Sequence, residues 1–204
     1  MFLKRIFDLI AASIGLVVLF PFIVLLVIAV MIDLGWPIFY RAERAGRGGA
    51  AFKILKFRSM RPAGPGEQTH HSGEDDPRIS RVGKFMRRYK FDELPQLWNV
   101  IIGNMSLVGP RPETLEYTKL YTEEQMEILS VRPGITDYAS IEFADLGELL
   151  SGGDPDKIYF EKVWEPKMEL RMKYVRERTF LIDLSLIFRT VFKEISGGSN
   201  RRDS

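Results

Sequence analysis

LIAASIGLVVLFPFIVLLVIAVMI, Leu9 to Ile32, carries no formal charge and is bracketed by Asp8 and Asp33. As a straight helix rising about 1.5 Å per residue, it is long enough to cross a bilayer core of about 30 Å. Pro21 stands near its middle, where a proline removes a backbone donor and clashes with the preceding turn. The pattern therefore predicts a break at Phe20–Pro21, leaving two halves each too short to span alone. Lys4 and Arg5 precede the run, as interface residues. Arg41, Arg44, Arg47, Lys53, Lys56, Arg58 and Arg61 follow it, opposed by Glu43. The positive-inside rule draws both flanks toward the cytoplasm. A helix that enters a membrane, turns at Pro21 and leaves by the same face meets both demands. A kinked single span, a secretory signal peptide and the buried helix of a soluble protein are the alternatives.

Outward from this element, the 204 residues are 46% hydrophobic and 27% charged, which allows one domain of moderate core with attached elements and excludes a fibrous or wholly disordered chain. Lys plus Arg total 29 against 27 Asp plus Glu, so the net charge of +2 gives no reason to expect a general polyanion binder. There is no cysteine, which removes disulfides, thiolate nucleophiles and thiolate metal sites. His70 and His71 are too few for a histidine-rich zinc centre and read as solvated loop residues.

Trp36–Tyr40 and Ala51–Phe57 have strand character and flank the glycine-rich 46–49, which predicts a short hairpin. Arg61–Pro77 reads as a surface loop. Ser80–Phe91 reads as a basic amphipathic helix for an anionic interface, for phosphates or for an ordinary wet face. Asp92 is placed to cap the next helix, with Pro95 in its first turn and Leu94, Leu97, Trp98 and Ile101 on its apolar face. Glu113–Leu129 reads as helix, Arg132–Thr136 as a turn, and Asp137–Phe143 as a short strand. Pro155–Arg178 reads as a long charged helix interrupted or restarted near Pro166. Phe180–Ile195 is an amphipathic helix that packs on the domain or lies on a membrane. The expected class is α+β, mainly helical: residues 1–35 a re-entrant helix-break-helix, 36–195 a cytosol-facing domain with interfacial helices, and 196–204 a flexible tail.

The chemistry concentrates between Arg78 and Pro112. Adjacent Asp92 and Glu93 follow a basic helix at a helix start, where exposed backbone donors favour negative charge. Such a pair could divide its work, one carboxylate attacking phosphorus while its neighbour holds a divalent cation. It could equally be a cap salt-bridged to Arg87 or Arg88. Arg111, fixed between Pro110 and Pro112, could aim its guanidinium at a phosphate or form a structural ion pair. Lys56 and Arg58 would alternate along a strand and could meet phosphate, the carboxylates or only water. A P-loop, a dinucleotide fingerprint and a recognisable nucleic-acid module are all missing, so an ordinary ATPase, a nicotinamide enzyme and a nucleic-acid binder have little support.

Several stretches together resemble the monotopic phosphoglycosyl transferases, the bacterial sugar transferases that begin lipid-linked glycan assembly. They are Lys4-Arg5 with Asp8, Phe39 to Gly46, Lys56-Phe57-Arg58-Ser59-Met60, Asp92 to Val100, Gly103 to Pro112, and Arg132-Pro133-Gly134-Ile135-Thr136. The resemblance implies transfer of a sugar 1-phosphate from a nucleotide diphosphate sugar, usually uridine-linked, to polyprenol phosphate, releasing uridine monophosphate. It implies Asp92 as nucleophile through a covalent phosphosugar adduct, with Glu93, together with Asp92, at the Mg2+. It implies Arg111, with Lys56, Arg58 and Arg88, facing phosphate. Pro110, Pro112, Arg132, Pro133, Gly134 and Thr136 would form the substrate loop, and Pro21 the turn of the re-entrant helix. It also implies the cytoplasmic face of a bacterial inner membrane, and leaves a homodimer open. The chain resembles the small class, without the extra transmembrane domain of large relatives. It departs from the family pattern at Phe20, commonly Ser, at Ala42, often Gln, and at Asp137-Tyr138-Ala139-Ser140, often Gly-Trp-Ala-Gln. From the residues alone, a lipid-phosphate phosphatase or pyrophosphatase and a non-catalytic membrane adaptor are the other classes.

Overall fold

The computed structural model describes residues 2–64 and 72–200. His70 and His71 lie outside the described residues, as do 201–204 of the expected tail.

The apolar run forms helix α1, Phe2–Leu34, and the backbone stays helical through Pro21 instead of separating into two helices at Phe20–Pro21. One missing backbone donor is a local defect that a long helix tolerates where neighbouring turns keep their own bonds. One stripe of α1, including Ala12, Leu26 and Val30, is buried against the domain. The opposite side stays exposed although it is apolar, with Ile10, Ile14, Val17, Val18, Phe20, Leu25 and Ile28. A helix apolar on both its covered and its open face suits a protein surface on one side and a nonaqueous solvent on the other.

Both ends of α1 are fastened to one domain. Near the start, Asp8 is buried and accepts from Ser106 Oγ at 2.8 Å and Leu107 N at 3.2 Å. Lys4 donates to Asp183 Oδ2 at 2.8 Å and the Val108 carbonyl at 3.0 Å. Arg5 donates to the Val100 and Ile101 carbonyls. Near the other end, Asp33 accepts from Val82 N at 3.0 Å. Lys4 and Arg5, expected at an interface, are thus turned into the protein as fasteners.

After α1, strands β1, Phe39–Ala45, and β2, Ala51–Phe57, pair antiparallel from Phe39↔Phe57 to Ala45↔Ala51. This is the predicted hairpin, with its first strand starting after Trp36. Helix α2, Arg81–Arg88, starts at Ser80, whose Oγ accepts from Gly83 N. Gly83 lies so near the Ser59 carbonyl that a Cβ there would stand 2.0 Å from it, so only glycine lets α2 approach the end of the hairpin this closely. Helix α3 is Gln96–Ile101, with Pro95 before its first turn. Its Asn99 side chain accepts from Leu55 N and donates to the Lys53 carbonyl, tying α3 to β2.

Strands β3, Ser106–Val108, and β4, Gly134–Thr136, run parallel, so the predicted 132–136 turn ends in a strand. Helix α4 is only Leu115–Thr118, capped by Thr114, and a 3-10 turn at Gln125–Ser130 follows the mutual bonds of Thr122 and Gln125. Two threonine starts thus divide the helix predicted over Glu113–Leu129. The strand predicted over Asp137–Phe143 is helix α5, Tyr138–Glu142, because Asp137 accepts from Ser140 N at 2.6 Å as its cap. Helices α6, Leu146–Leu149, and α7, Pro155–Ile158, follow. A π turn at Tyr159–Val163 then leads into α8, Trp164–Glu177, the interruption expected near Pro166. Helix α9, Phe180–Asn200, runs past Ile195. It buries Asp183 and Leu186 and exposes Leu181, Phe188, Val191 and Phe192. Phe180 meets Phe7 edge-on at 5.4 Å, so the open apolar sides of α9 and α1 begin side by side.

Candidate active site

The C-terminus of α2 turns sharply at Lys90, which holds a left-handed φ of 55°, a conformation that costs a non-glycine residue about 1–2 kcal/mol. The reversal leads into a 3-10 turn, Phe91–Glu93, before Pro95 opens α3. Phe91 anchors this turn, meeting Phe22 of α1 edge-on at 4.8 Å and stacking on Tyr89 at 5.6 Å. Asp92 is therefore part of a tight turn between two helices, not the cap of α3.

The turn delivers Asp92 and Glu93 to a cleft of about 650 Å3. Lys56 and Arg58 of the hairpin side, and Arg44, Arg61, Arg78, Arg87 and Lys90, also line it, while Asp92 and Glu93 are the acids of its lining among the described residues. Arg78 is paired with Asp76 at 2.6 Å. Glu93 Oε1 accepts from Lys56 Nζ at 2.9 Å and from Arg111 Nη2. Arg111 in turn donates through Nη1 to the Ile135 carbonyl at 3.2 Å, and its backbone N donates to Asp137 Oδ2 at 3.2 Å. Asp92, 8% exposed, makes no hydrogen bond or ion pair with its carboxylate among the described residues.

The two acids are driven apart electrostatically. Burial pushes the Asp92 carboxyl up, and the charge of Glu93 adds to this, against the pull of Lys56, Arg87 and Lys90. Burial acts the same way on Glu93, but Arg111 and Lys56 outweigh it and hold that carboxyl well below the usual range. Glu93 is thus held as a fixed anion by its two cations, whereas Asp92 has no partner among the described residues and its carboxyl is of enhanced basicity, facing a basic cleft. Such a group can attack an electrophilic phosphorus. The donor set also fits magnesium: the free Asp92 oxygens and Glu93 Oε2 are hard ligands, and no cluster of three acidic or histidine groups occurs among the described residues, so phosphate and water would complete the shell.

The remaining expected residues divide. Arg58 lines the cleft, yet its guanidinium is occupied by the end of α1, donating to the carbonyls of Leu34, of Gly35 at 2.7 Å and of Trp36 at 3.3 Å. It caps a helix C-terminus, where unsatisfied carbonyls attract a cation. Arg88 is outside the cleft lining, with its guanidinium 5.9 Å from the Tyr89 ring. Pro110, Pro112, Arg132, Pro133, Gly134 and Thr136 form the frame behind Arg111 and do not line the cleft. Gly109 N donates to the Thr136 carbonyl, Gly134 N to Pro110, and Arg132 Nε to Gly103. A Cβ on Gly134 would lie 2.1 Å from Gly109 N, so this crossing requires glycine. Phe20 and Pro21 are exposed on α1 and are not part of the cleft lining.

Arg44 and Tyr40 carry no mark in the sequence as cleft residues, nor Asp137 as a buried support of Arg111, whereas Arg87 and Lys90 belong to the basic helix read as able to meet phosphates and do line the cleft. The signal for Arg87 and Lys90 was their place at the end of a basic helix directly before Asp92. Nothing in the pattern of Asp137 marks it.

A family model described as bacterial sugar transferase matches residues 1–197. The uncharacterized sugar transferase EpsL of Bacillus subtilis (strain 168) is 38% identical over 197 residues, covering 95% of this chain and 87% of that protein. The UDP-glucose:undecaprenyl-phosphate glucose-1-phosphate transferase of Escherichia coli (strain K12) is 34% identical over 194 residues, covering 94% of this chain. The undecaprenyl-phosphate glucose phosphotransferase of Komagataeibacter xylinus is 35% identical over 199 residues, also covering 94%. The chain spans 40% and 36% of the length of these last two relatives. A match of this extent shows that the chain belongs to the bacterial sugar transferase family.

Proposed function

We propose that this chain transfers a sugar 1-phosphate from a nucleotide diphosphate sugar, uridine-linked, to polyprenol phosphate at a membrane surface. The observation that carries this reading is the unpaired, buried Asp92 carboxyl beside the cation-paired Glu93 in a basic cleft. An Asp92 oxygen attacks the β-phosphorus, the bond from that phosphorus to the bridging oxygen breaks, and uridine monophosphate leaves with the electron pair. The phosphate oxygen of polyprenol phosphate then attacks the same phosphorus. The bond to Asp92 breaks, regenerating the carboxylate and giving polyprenyl diphosphate sugar. Lys56 and Arg111 keep Glu93 ionised and add positive charge beside the phosphoryl group. Asp92 and Glu93 would hold magnesium, which supplies neutralisation of phosphoryl oxygens.

The open apolar faces of α1 and α9 support a membrane setting. A re-entrant α1 is supported by its fastenings. Asp8 near its start accepts from Ser106 and Leu107, Phe22 beside Pro21 packs on Phe91, and Asp33 near its end accepts from Val82 N, so the helix is held along one domain throughout. A single span would carry one of those ends to the far side of the bilayer. This topology holds the sugar nucleotide and the lipid phosphate at one interface, and the basic flanks favour the cytoplasmic face of a bacterial inner membrane.

Two experiments test the proposal. Purified full chain in detergent, given magnesium, polyprenol phosphate and a panel of nucleotide diphosphate sugars, is expected to form polyprenyl diphosphate sugar and the matching nucleoside monophosphate, resolved by mass. Release of inorganic phosphate, or no product from folded protein, overturns the reaction. Because the chain has no cysteine, Phe2→Cys and Trp36→Cys each introduce a unique label site. Both are expected to react from the cytoplasmic side, and labelling from opposite sides would reject the re-entrant topology.

A further inference from the structure

The cations of the cleft can neutralise a diphosphate, but a nucleoside also presents a flat, weakly polar base that cations do not cover. Among the described residues, the aromatic side chains of the cleft lining are Tyr40 and Phe57. Phe57 is 1% exposed and stacked on Phe39 at 5.3 Å, so its face is spent in the core. Tyr40 is the opposite case. It is 51% exposed, has no ring contact, and its hydroxyl has no hydrogen-bond partner among the described residues.

The hairpin register aligns this ring with the chemistry. Tyr40 is the direct cross-strand partner of Lys56, so their Cβ atoms lie about 5 Å apart on one face. Lys56 reaches Glu93 at 2.9 Å. A donor with its β-phosphorus at Asp92 would have its diphosphate beside Lys56, next to the strand face that carries Tyr40. Resting on the proposed reaction, we propose that Tyr40 is the stacking platform for the nucleobase of the donor. Its open face gives the base the apolar contact that the arginines cannot, and it fixes the nucleotide half so that the phosphorus lies against Asp92.

The test compares a ligand that has a base with one that does not. Calorimetric titration of the full chain in detergent with uridine diphosphate and with inorganic pyrophosphate is made for the unaltered protein, Tyr40→Ala, Tyr40→Phe and Tyr40→Trp. Tyr40→Ala is expected to weaken uridine diphosphate by about tenfold to a hundredfold, the loss of one base stack, and to leave pyrophosphate within about twofold. Tyr40→Phe and Tyr40→Trp are expected to retain uridine diphosphate binding, which also shows that position 40 tolerates change. Unchanged uridine diphosphate affinity in Tyr40→Ala overturns the inference, as does an equal loss for both ligands. Tyr40→Phe as weak as Tyr40→Ala overturns it too, because the hydroxyl would then be the contact. These three results leave the proposed reaction standing. An unaltered chain that binds neither ligand overturns both.

Discussion

Glu93 and Glu113 are built alike and serve different ends. Each accepts a lysine and an arginine on one carboxylate oxygen: Lys56 and Arg111 on Glu93, Lys167 and Arg171 on Glu113. Each is held well below the ordinary carboxyl range because these cations outweigh the effect of burial. Around Glu113 the set is closed. Tyr159 donates its hydroxyl to the same oxygen at 3.1 Å and receives Lys167 at 2.6 Å, while Arg171, 1% exposed, lies 3.9 Å from Asp137. Around Glu93 the set is open, because Asp92 stands beside it without a partner in a cleft. What separates a structural cluster from a reactive one here is the surplus carboxylate and its access to a ligand. The two are also linked, since Asp137 touches Arg171 on one side and the Arg111 backbone on the other.

The largest expected effect removes the surplus carboxylate. Asp92→Asn should lower turnover by about four orders of magnitude or more, the usual scale for loss of a covalent nucleophile, and abolish the phosphosugar adduct seen by mass spectrometry. It should not lower the unfolding midpoint at neutral pH. The sign follows from the raised carboxyl: the folded state holds the Asp92 proton more tightly than the unfolded chain, so ionising it costs stability as pH rises above the ordinary value of 3.8. Asparagine removes that cost. By the same token, the acid limb of kcat/KM should lie above 3.8. A variant that loses stability together with activity would make Asp92 a structural acid like Glu113 and erase the contrast.

How far each region is legible in the sequence depends on what its charges meet. The α1 run, the glycine-turned hairpin, the basic α2 and the pair Asp92–Glu93 are all visible as local patterns, because one face or one turn defines them. The destinations of the long cations are not visible. Lys4 and Arg5 read as interface residues and Arg58 as a phosphate ligand, but Arg5 meets the carbonyls ending α3 and Arg58 those ending α1. Helix ends offer acceptors that no side-chain pattern displays. Asp137 shows the same limit from the acidic side. Alternation around it suggests a strand, whereas its cap to Ser140 makes a helix and its second oxygen steadies Arg111. The cluster of Glu113, Lys167 and Arg171 draws on two distant segments, so only the fold assembles it.

The smaller effect tests the closed set. Glu113→Ala should destabilise the protein by about 3–5 kcal/mol, the usual cost of removing one partner of a buried ion pair, read by denaturant unfolding at neutral pH. Glu113→Gln should cost less, because its amide oxygen still accepts hydrogen bonds from the tyrosine and the cations. The reason for the loss is asymmetric. Lys167, brought down to about 8 by burial and kept from falling further by Glu113, can shed its proton when the glutamate is gone. Arg171 cannot, and is left with Asp137 as its remaining acid. The pH dependence carries the sign. The lowered carboxyl of Glu113 contributes fully above its ordinary value of 4.5 and loses that contribution as pH falls through its folded value. The gap between the unaltered protein and Glu113→Ala should therefore narrow in acid. Turnover by the folded fraction of Glu113→Gln should stay far above that of Asp92→Asn, because the closed cluster touches the reaction only through Asp137 and the backbone of Arg111. Equal losses of turnover would mean that Glu113 acts in the reaction itself, and the two clusters would then be one site.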